Sequence, residues 1–172
     1  MIKSPVVGVM IGSDSDWEVM KETAIVLKEF GIFFEFIVSS AHRTPERTHA
    51  YASTARERGL KCLIVGAGAA AHLAGVVASK TNLPVIGVPL ASTDLNGMDA
   101  LLSTVQMPAG MPVATMAIGK AGARNAAILA AQILSLGDTA LAQKLRDARS
   151  DMVRAVEGKS TDIQDRVNAI LG

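Results

Sequence analysis

The chain holds a single cysteine, so no internal disulfide can staple it. Cys62 lies in the apolar run Cys62-Leu63-Ile64-Val65 and reads as a small core residue. Aromatic residues make up only 3% of the sequence, with one tryptophan and one tyrosine, and the 17 basic residues nearly match the 16 acidic ones. A net charge of +1 with no basic run and no stacking platform argues against a nucleic-acid partner. No apolar run approaches the roughly 20 residues that span a bilayer, and Met1 leads within a few residues into Val6-Val7-Gly8-Val9-Met10, too soon for a cleavable signal. A cytoplasmic protein without a membrane partner is expected. His42, His49 and His72 never stand at zinc-ligand spacing with Cys or carboxylate, so no metal is expected. GxSxG, GxGxxG and the Lys-Ser/Thr ending of a Walker loop are all missing, which disfavours a serine hydrolase, a dinucleotide site and a triphosphate site.

What the chain has in quantity is aliphatic. Hydrophobic residues form 49% of the 172, mostly Ala, Val, Ile, Leu and Met. A chain of this size closes one core but cannot bury a large apolar fraction alone, so a homo-oligomer is expected. Short apolar runs alternate with helical patterns, the signature of a parallel sheet with crossover helices. Strands are expected at Val6–Ile11, Phe33–Val38, Cys62–Val65, Val85–Val88 and Val113–Ala117. Helices are expected at Asp16–Phe30, Pro45–Arg58, Ala71–Thr81, Met98–Val105 and Gly122–Leu136, with Gly31 and Gly59 placed for left-handed caps. After Gly137-Asp138, the stretch Thr139–Val156 is charged and amphipathic and reads as a terminal helix. The fold class is therefore α/β, a three-layer open parallel sheet of flavodoxin-like or Rossmann-like type. Residues 1–172 form one domain, with 138–172 a C-terminal helical tail.

Ligands of open α/β sheets bind beyond the carboxyl ends of the strands, which directs attention to three loops. Gly12-Ser13-Asp14-Ser15-Asp16-Trp17 follows the first strand and opens a helix. Its hydroxyls suit either a phosphate at the helix start or an ordinary N-cap, its aspartate suits ribose hydroxyls, and Trp17 suits packing. Ser39-Ser40-Ala41-His42-Arg43-Thr44-Pro45 follows the second strand, with Pro45 in the first helical turn and Thr44 as cap. His42 can exchange protons near neutral pH and Arg43 can fork onto a phosphate, while a plain polar loop is the alternative. His49, inside the next helix, reads as solvated. Gly66-Ala67-Gly68-Ala69-Ala70-Ala71-His72-Leu73 follows the third strand without bulky side chains, so either backbone amides approach a ligand there or helix and sheet pack tightly. His72 is a ligand contact or a helix-cap histidine. Gln106–Pro112 and Gly119–Asn125 could line a pocket or simply turn, and no chemistry is assigned to Lys120 or Arg124.

These segments together resemble the N5-carboxyaminoimidazole ribonucleotide mutase family of purine biosynthesis, the PurE proteins. The likeness rests on Gly12–Trp17, Ser40–Pro45, Gly66-Ala67-Gly68 with Ala70-Ala71-His72-Leu73, and Val105-Gln106-Met107-Pro108, in that order over residues 6–136. It implies a carboxylate shift from the exocyclic nitrogen to ring carbon C4 of an aminoimidazole ribonucleotide, without metal or organic cofactor. It implies His42 as general acid and base, Ser13, Ser15, Ser40 and Arg43 as phosphate and ribose-side ligands, and Asp16 as acceptor for ribose hydroxyls. Gly68, Ala70, His72 and Leu73 belong to the loop that would enclose transient carbon dioxide. It also implies an octamer with sites shared between subunits. The family usually reads Gly-Ala-Gly-Gly-Ala-Ala-His-Leu-Pro-Gly in the third loop, where this chain has Ala69 and Ala74. The Ala69 methyl matters if that backbone needs a positive φ, and loss of the proline leaves the loop freer. Two other readings stand beside the mutase. One is the related carboxylase that uses free carbon dioxide, whose sequences resemble His-Lys where His42-Arg43 stands. The other is a non-catalytic nucleotide-binding regulator.

Overall fold

The computed structural model of the chain describes residues 4–172. Two compact units divide it, one ending at Ile133 and the other Leu134–Gly172. The first is built on five parallel strands: β1 (Val7–Ile11), β2 (Phe34–Val38), β3 (Cys62–Gly68), β4 (Val85–Leu90) and β5 (Ala114–Thr115). Their spatial order is β2-β1-β3-β4-β5, so the chain reverses direction of travel across the sheet beside β1. That reversal splits the loops after β1 and β3 apart and opens a crevice at their carboxyl ends.

The connecting helices are α1 (Trp17–Glu29), α2 (Pro45–Thr54), α3 (Leu73–Ala78), α4 (Met98–Val105) and α5 (Lys120–Ser135). β1 and β4 are buried at every residue, as strands covered on both faces must be. Met10, Leu63, Val65, Leu73, Val77 and Val85 belong to one core cluster, with Ala52, Ala55 and Ala100 as the small residues that let helices approach. On α5, Ala123, Ala126, Ala127, Ala130 and Ala131 are all fully buried. The Thr23 hydroxyl on α1 donates to the Ala123 carbonyl at 2.8 Å, tying the two helices together. Trp17 is 45% exposed and sets its ring edge against Phe36, with centroids 5.3 Å apart, which agrees with a packing role. Cys62 is fully buried, and burial pushes its thiol up to about 12, so it is a core residue held as the neutral thiol.

Several boundaries differ from the sequence expectation. A 3-10 turn, Asp14–Asp16, precedes α1, because Ser13 caps earlier than the helical periodicity shows. The third and fourth strands run on to Gly68 and Leu90, since Gly and Pro residues there still pair in register. Helix α3 is only six residues long, beginning at Leu73 rather than Ala71. Gly31 and Gly59 do take left-handed φ values of 74° and 93° after their helices. In the second unit, α6 spans Thr139–Leu171, well beyond Val156. Asp138 caps it by accepting from the Leu141 N–H at 3.0 Å.

Candidate active site

The register fixes where the loops emerge. Ile11 lies level with Val38 on one side and Gly66 on the other, so the segments beginning at Gly12 and Ser39 leave the sheet side by side. Strand β3 continues two residues farther to Gly68, which lies level with Leu90 of β4. These ends enclose a cleft of about 330 Å³ lined by Ser13, Ser15, Asp16, Ser40, His42 and Arg43 on the β1–β2 side. Gly68, Ala70, Leu73 and Ser92 line it as well. A larger depression of about 920 Å³ lies at the opposite edge, where Pro84 and Val85 enter β4, and is bordered by Arg56, Glu57 and Lys80. It contains no histidine, and the chemistry belongs in the smaller cleft.

In the first loop, the Ser13 hydroxyl accepts from the Ser15 N–H and the Asp16 carboxylate accepts from the Ser13 N–H at 3.0 Å, a reciprocal capping box. The Ser15 hydroxyl donates to the Ser13 oxygen at 2.9 Å, stacking two hydroxyls at the cleft mouth. Capping and ligand binding are thus not exclusive at this helix start. Asp16 is only 8% exposed, and its burial raises its pKa above the ordinary aspartate range. The Ser13 N–H and the Arg43 charge oppose that shift without cancelling it.

The second loop is held from beneath by hydroxyls. Ser39 bonds the buried Thr48 at 2.8 Å, and the Thr44 hydroxyl donates to the Ser40 carbonyl at 3.1 Å while accepting from the Ser40 N–H at 2.9 Å. Thr44 therefore occupies the N-cap position of α2 but does not cap it, because its side chain turns back to close the loop. That closure presents His42 and Arg43 outward. The Arg43 guanidinium donates to the Gly12 carbonyl at 3.3 Å and so joins the first two loops. His49 is exposed on α2, away from the cleft lining.

His72 occupies the N-cap position of α3 without a side-chain cap bond. Its Nδ1 lies instead 2.9 Å from Nε2 of His42, and the rings meet edge to face at 76°. The backbone reaches that position through Ala69, which adopts a left-handed φ of 53°. The family's usual glycine would take this conformation freely, whereas an alanine there is strained. Of the residues expected from sequence, His42, Arg43, Ser13, Ser15, Asp16, Ser40, Gly68, Ala70 and Leu73 converge on one cleft, and His72 joins through His42. Ser92 was not singled out. Its only signal is its place two residues beyond the end of β4, the one central strand whose exit loop drew no attention. Arg124, to which no chemistry was assigned, pairs with Glu22 at 3.0 Å.

The family model described as AIR carboxylase matches residues 6–155. An N5-carboxyaminoimidazole ribonucleotide mutase of Bacillus subtilis (strain 168) is 59% identical over 152 residues, covering 88% of this chain and 94% of its own. The N5-carboxyaminoimidazole ribonucleotide mutase of Thermotoga maritima is 52% identical over 160 residues, covering 93% and 92%. Among solved structures, Treponema denticola PurE superposes with a TM-score of 0.79 at 30% identity, covering 91% of this chain and 98% of that one. A family model matched over residues 6–155, with relatives more than half identical over nearly the whole of both chains, is common descent, and the chain belongs to the AIR carboxylase family.

Proposed function

We propose that the chain converts N5-carboxyaminoimidazole ribonucleotide to 4-carboxy-5-aminoimidazole ribonucleotide, as an intramolecular carboxylate transfer in purine biosynthesis. The observation that carries this reading is the exposed His42 imidazole at a cleft mouth that also holds an arginine, paired hydroxyls and a buried carboxylate. Arg43, Ser13, Ser15 and Ser40 bind the phosphate and the ribose side, and Asp16 accepts from ribose hydroxyls. An aspartate whose burial already disfavours its charge gains from two hydroxyl donors.

His42 begins as the imidazolium. It gives a proton to the exocyclic nitrogen as the N–C bond breaks, and carbon dioxide leaves with the neutral amine remaining. C4 then attacks carbon dioxide, and the C4 proton returns to His42, restoring the imidazolium. Atoms and charge balance over the cycle, so no cofactor is called for. The apolar lining of Ala67, Gly68, Ala70 and Leu73 suits a neutral linear molecule held away from water, with His72 steadying His42.

In the same reading residues 1–172 act as one α/β domain with 138–172 as helical tail, in the cytoplasm, without nucleic acid or membrane. Among the described residues, no helix is long and apolar enough to cross a membrane. Copies of the chain assemble as an octamer. The exposed Leu95, Met98, Leu102 and Val105 in and beside α4 support association, because such side chains gain from a partner surface. Turnover of the N-carboxylated substrate with bicarbonate absent tests the reaction. A carboxylase would instead need free carbon dioxide and the unmodified ribonucleotide, and a regulator would bind without turnover.

A further inference from the structure

Gly68 ends β3 level with Leu90, and Ser92 follows two residues later. A Cβ on Gly68 would meet the Ser92 Oγ at 2.1 Å and its Cβ at 2.8 Å, so the serine side chain lies directly on the glycine. This contact gives Gly68 a reason to be glycine at a φ that is not left-handed. Ser92 lines the same cleft as His42.

The other polar side chains of that cleft already have protein partners. Ser13 accepts from the Ser15 N–H, Ser15 donates to Ser13, and Asp16 accepts from the Ser13 N–H. Ser40 accepts from the Arg43 N–H, Arg43 donates to Gly12, and His42 bonds His72. Next to Ser92, the Thr93 hydroxyl donates to Asp99 at 2.7 Å. Among the described residues, the lining hydroxyls of Ser40 and Ser92 donate to no protein group, and that of Ser92 alone neither donates nor accepts, which leaves it open to a ligand.

Its location says which part of the ligand. With strands about 4.8 Å apart, β4 stands roughly 14 Å across the sheet from β2, whose exit loop sends Arg43 to Gly12 after β1 but His42 across to His72 beyond β3. The charged and multiply hydroxylated end of the cleft takes the phosphate. The lining that β3, β4 and the segments after them contribute is Ala67, Gly68, Ala70, Leu73 and Ser92, none of them charged, and the Ser92 side chain lies against Gly68. We infer that Ser92 is a substrate-contacting residue whose hydroxyl donates to the migrating carboxyl group and holds it beside C4 through both halves of the transfer. This rests on the mutase reading and names a further residue for it. Ser92 forms no covalent bond and gives up no proton. A neutral donor suits the task, because a cation there would bind the carboxylate of the ground state more strongly than the carbon dioxide that must form from it.

The test compares wild type with Ser92→Ala and Gly68→Ala, the second displacing the hydroxyl without deleting it. Affinities are measured by calorimetry for 4-carboxy-5-aminoimidazole ribonucleotide and for the ribonucleotide lacking the carboxylate. Release of that decarboxylated ribonucleotide during turnover is measured alongside. In both variants we expect the carboxylated ligand to weaken about tenfold, the other to bind as in wild type, and the fraction of turnovers ending in decarboxylation to rise. Equal weakening of the two ligands, or wild-type behaviour in Ser92→Ala, would overturn the assignment. Wild-type protein that discriminates the two ligands but does not turn over would sink the mutase reading while leaving the Ser92 comparison intact. Wild type that binds neither overturns both.

Discussion

His42 and His72 stand 30 residues apart in sequence, and their ring nitrogens Nε2 and Nδ1 meet at 2.9 Å. Such a contact accommodates one hydrogen, donated by one ring and accepted by the other, so the two rings cannot both present N–H there. His72 therefore fixes which way the His42 ring faces while His42 exchanges its proton.

Removing His72 should disturb orientation and leave the acid-base group itself. For His72→Ala we expect kcat to fall about tenfold with KM little changed, a smaller loss than the ~100-fold or more that follows deletion of an acid-base group. Steady-state kinetics measure this. A rise in KM with kcat intact would make His72 a binding residue instead.

Arg43 spans the first and second loops through its bond to the Gly12 carbonyl. Arg43→Ala should weaken substrate binding by ~2 kcal/mol, about 30-fold, as loss of a charge-assisted phosphate contact does. Equal affinity in titration calorimetry would remove Arg43 from the site. Arg43→Lys should recover only part of the loss, because it restores the charge without the planar fork.

Asp16 carries a pH dependence whose sign follows from its burial. Its pKa is raised in the folded protein, so the protonated form is the one the fold prefers. That preference contributes stability in full below the unfolded value near 3.9 and is lost as pH rises through the folded value. Above that folded value the free protein holds a desolvated charge. Asp16→Asn keeps an acceptor for the Ser13 N–H and should melt higher than wild type at pH 7, the gap closing as pH falls towards 4. It should also bind the ribonucleotide more weakly. A lower Tm at pH 7 would contradict the stability argument.

Ala69 and Gly59 form an opposed pair of backbone tests. Ala69 holds φ 53° where glycine would be unstrained, and Gly59 holds φ 93° with nothing within 4 Å of an added Cβ. Ala69→Gly should be neutral to stabilising by up to ~1 kcal/mol, strain relief exceeding the entropy glycine adds to the unfolded chain. Gly59→Ala should destabilise by ~1 kcal/mol through conformation alone. Denaturant midpoints report both. Destabilisation by Ala69→Gly would mean that the alanine methyl makes a contact worth more than the strain.

Much of this architecture was legible because it rests on short-range patterns. Apolar runs gave the five strands, and glycine after a helix gave the caps at Gly31 and Gly59. The strand-end rule and the loop motifs brought Ser13, Asp16, His42 and Arg43 to one place. The His42–His72 contact was not legible, since it depends on where a left-handed Ala69 aims the third loop. Nor was Thr44 turning back on Ser40 rather than capping α2, because cap and loop closure compete for the same hydroxyl. Ser92 escaped notice because Ala91-Ser92-Thr93 after β4 carries no glycine, histidine or arginine to mark a ligand loop. Its significance lies in the bare surface of Gly68 against it, which only the fold brings there.

The central claim is that His42 moves the protons of the carboxylate transfer, and His42→Asn tests it most directly. With bicarbonate absent, wild type should form the C4-carboxylated ribonucleotide from its N-carboxylated isomer. The variant should lose at least ~100-fold in turnover while binding the product nearly as well. Turnover in His42→Asn at the wild-type rate would contradict the mechanism.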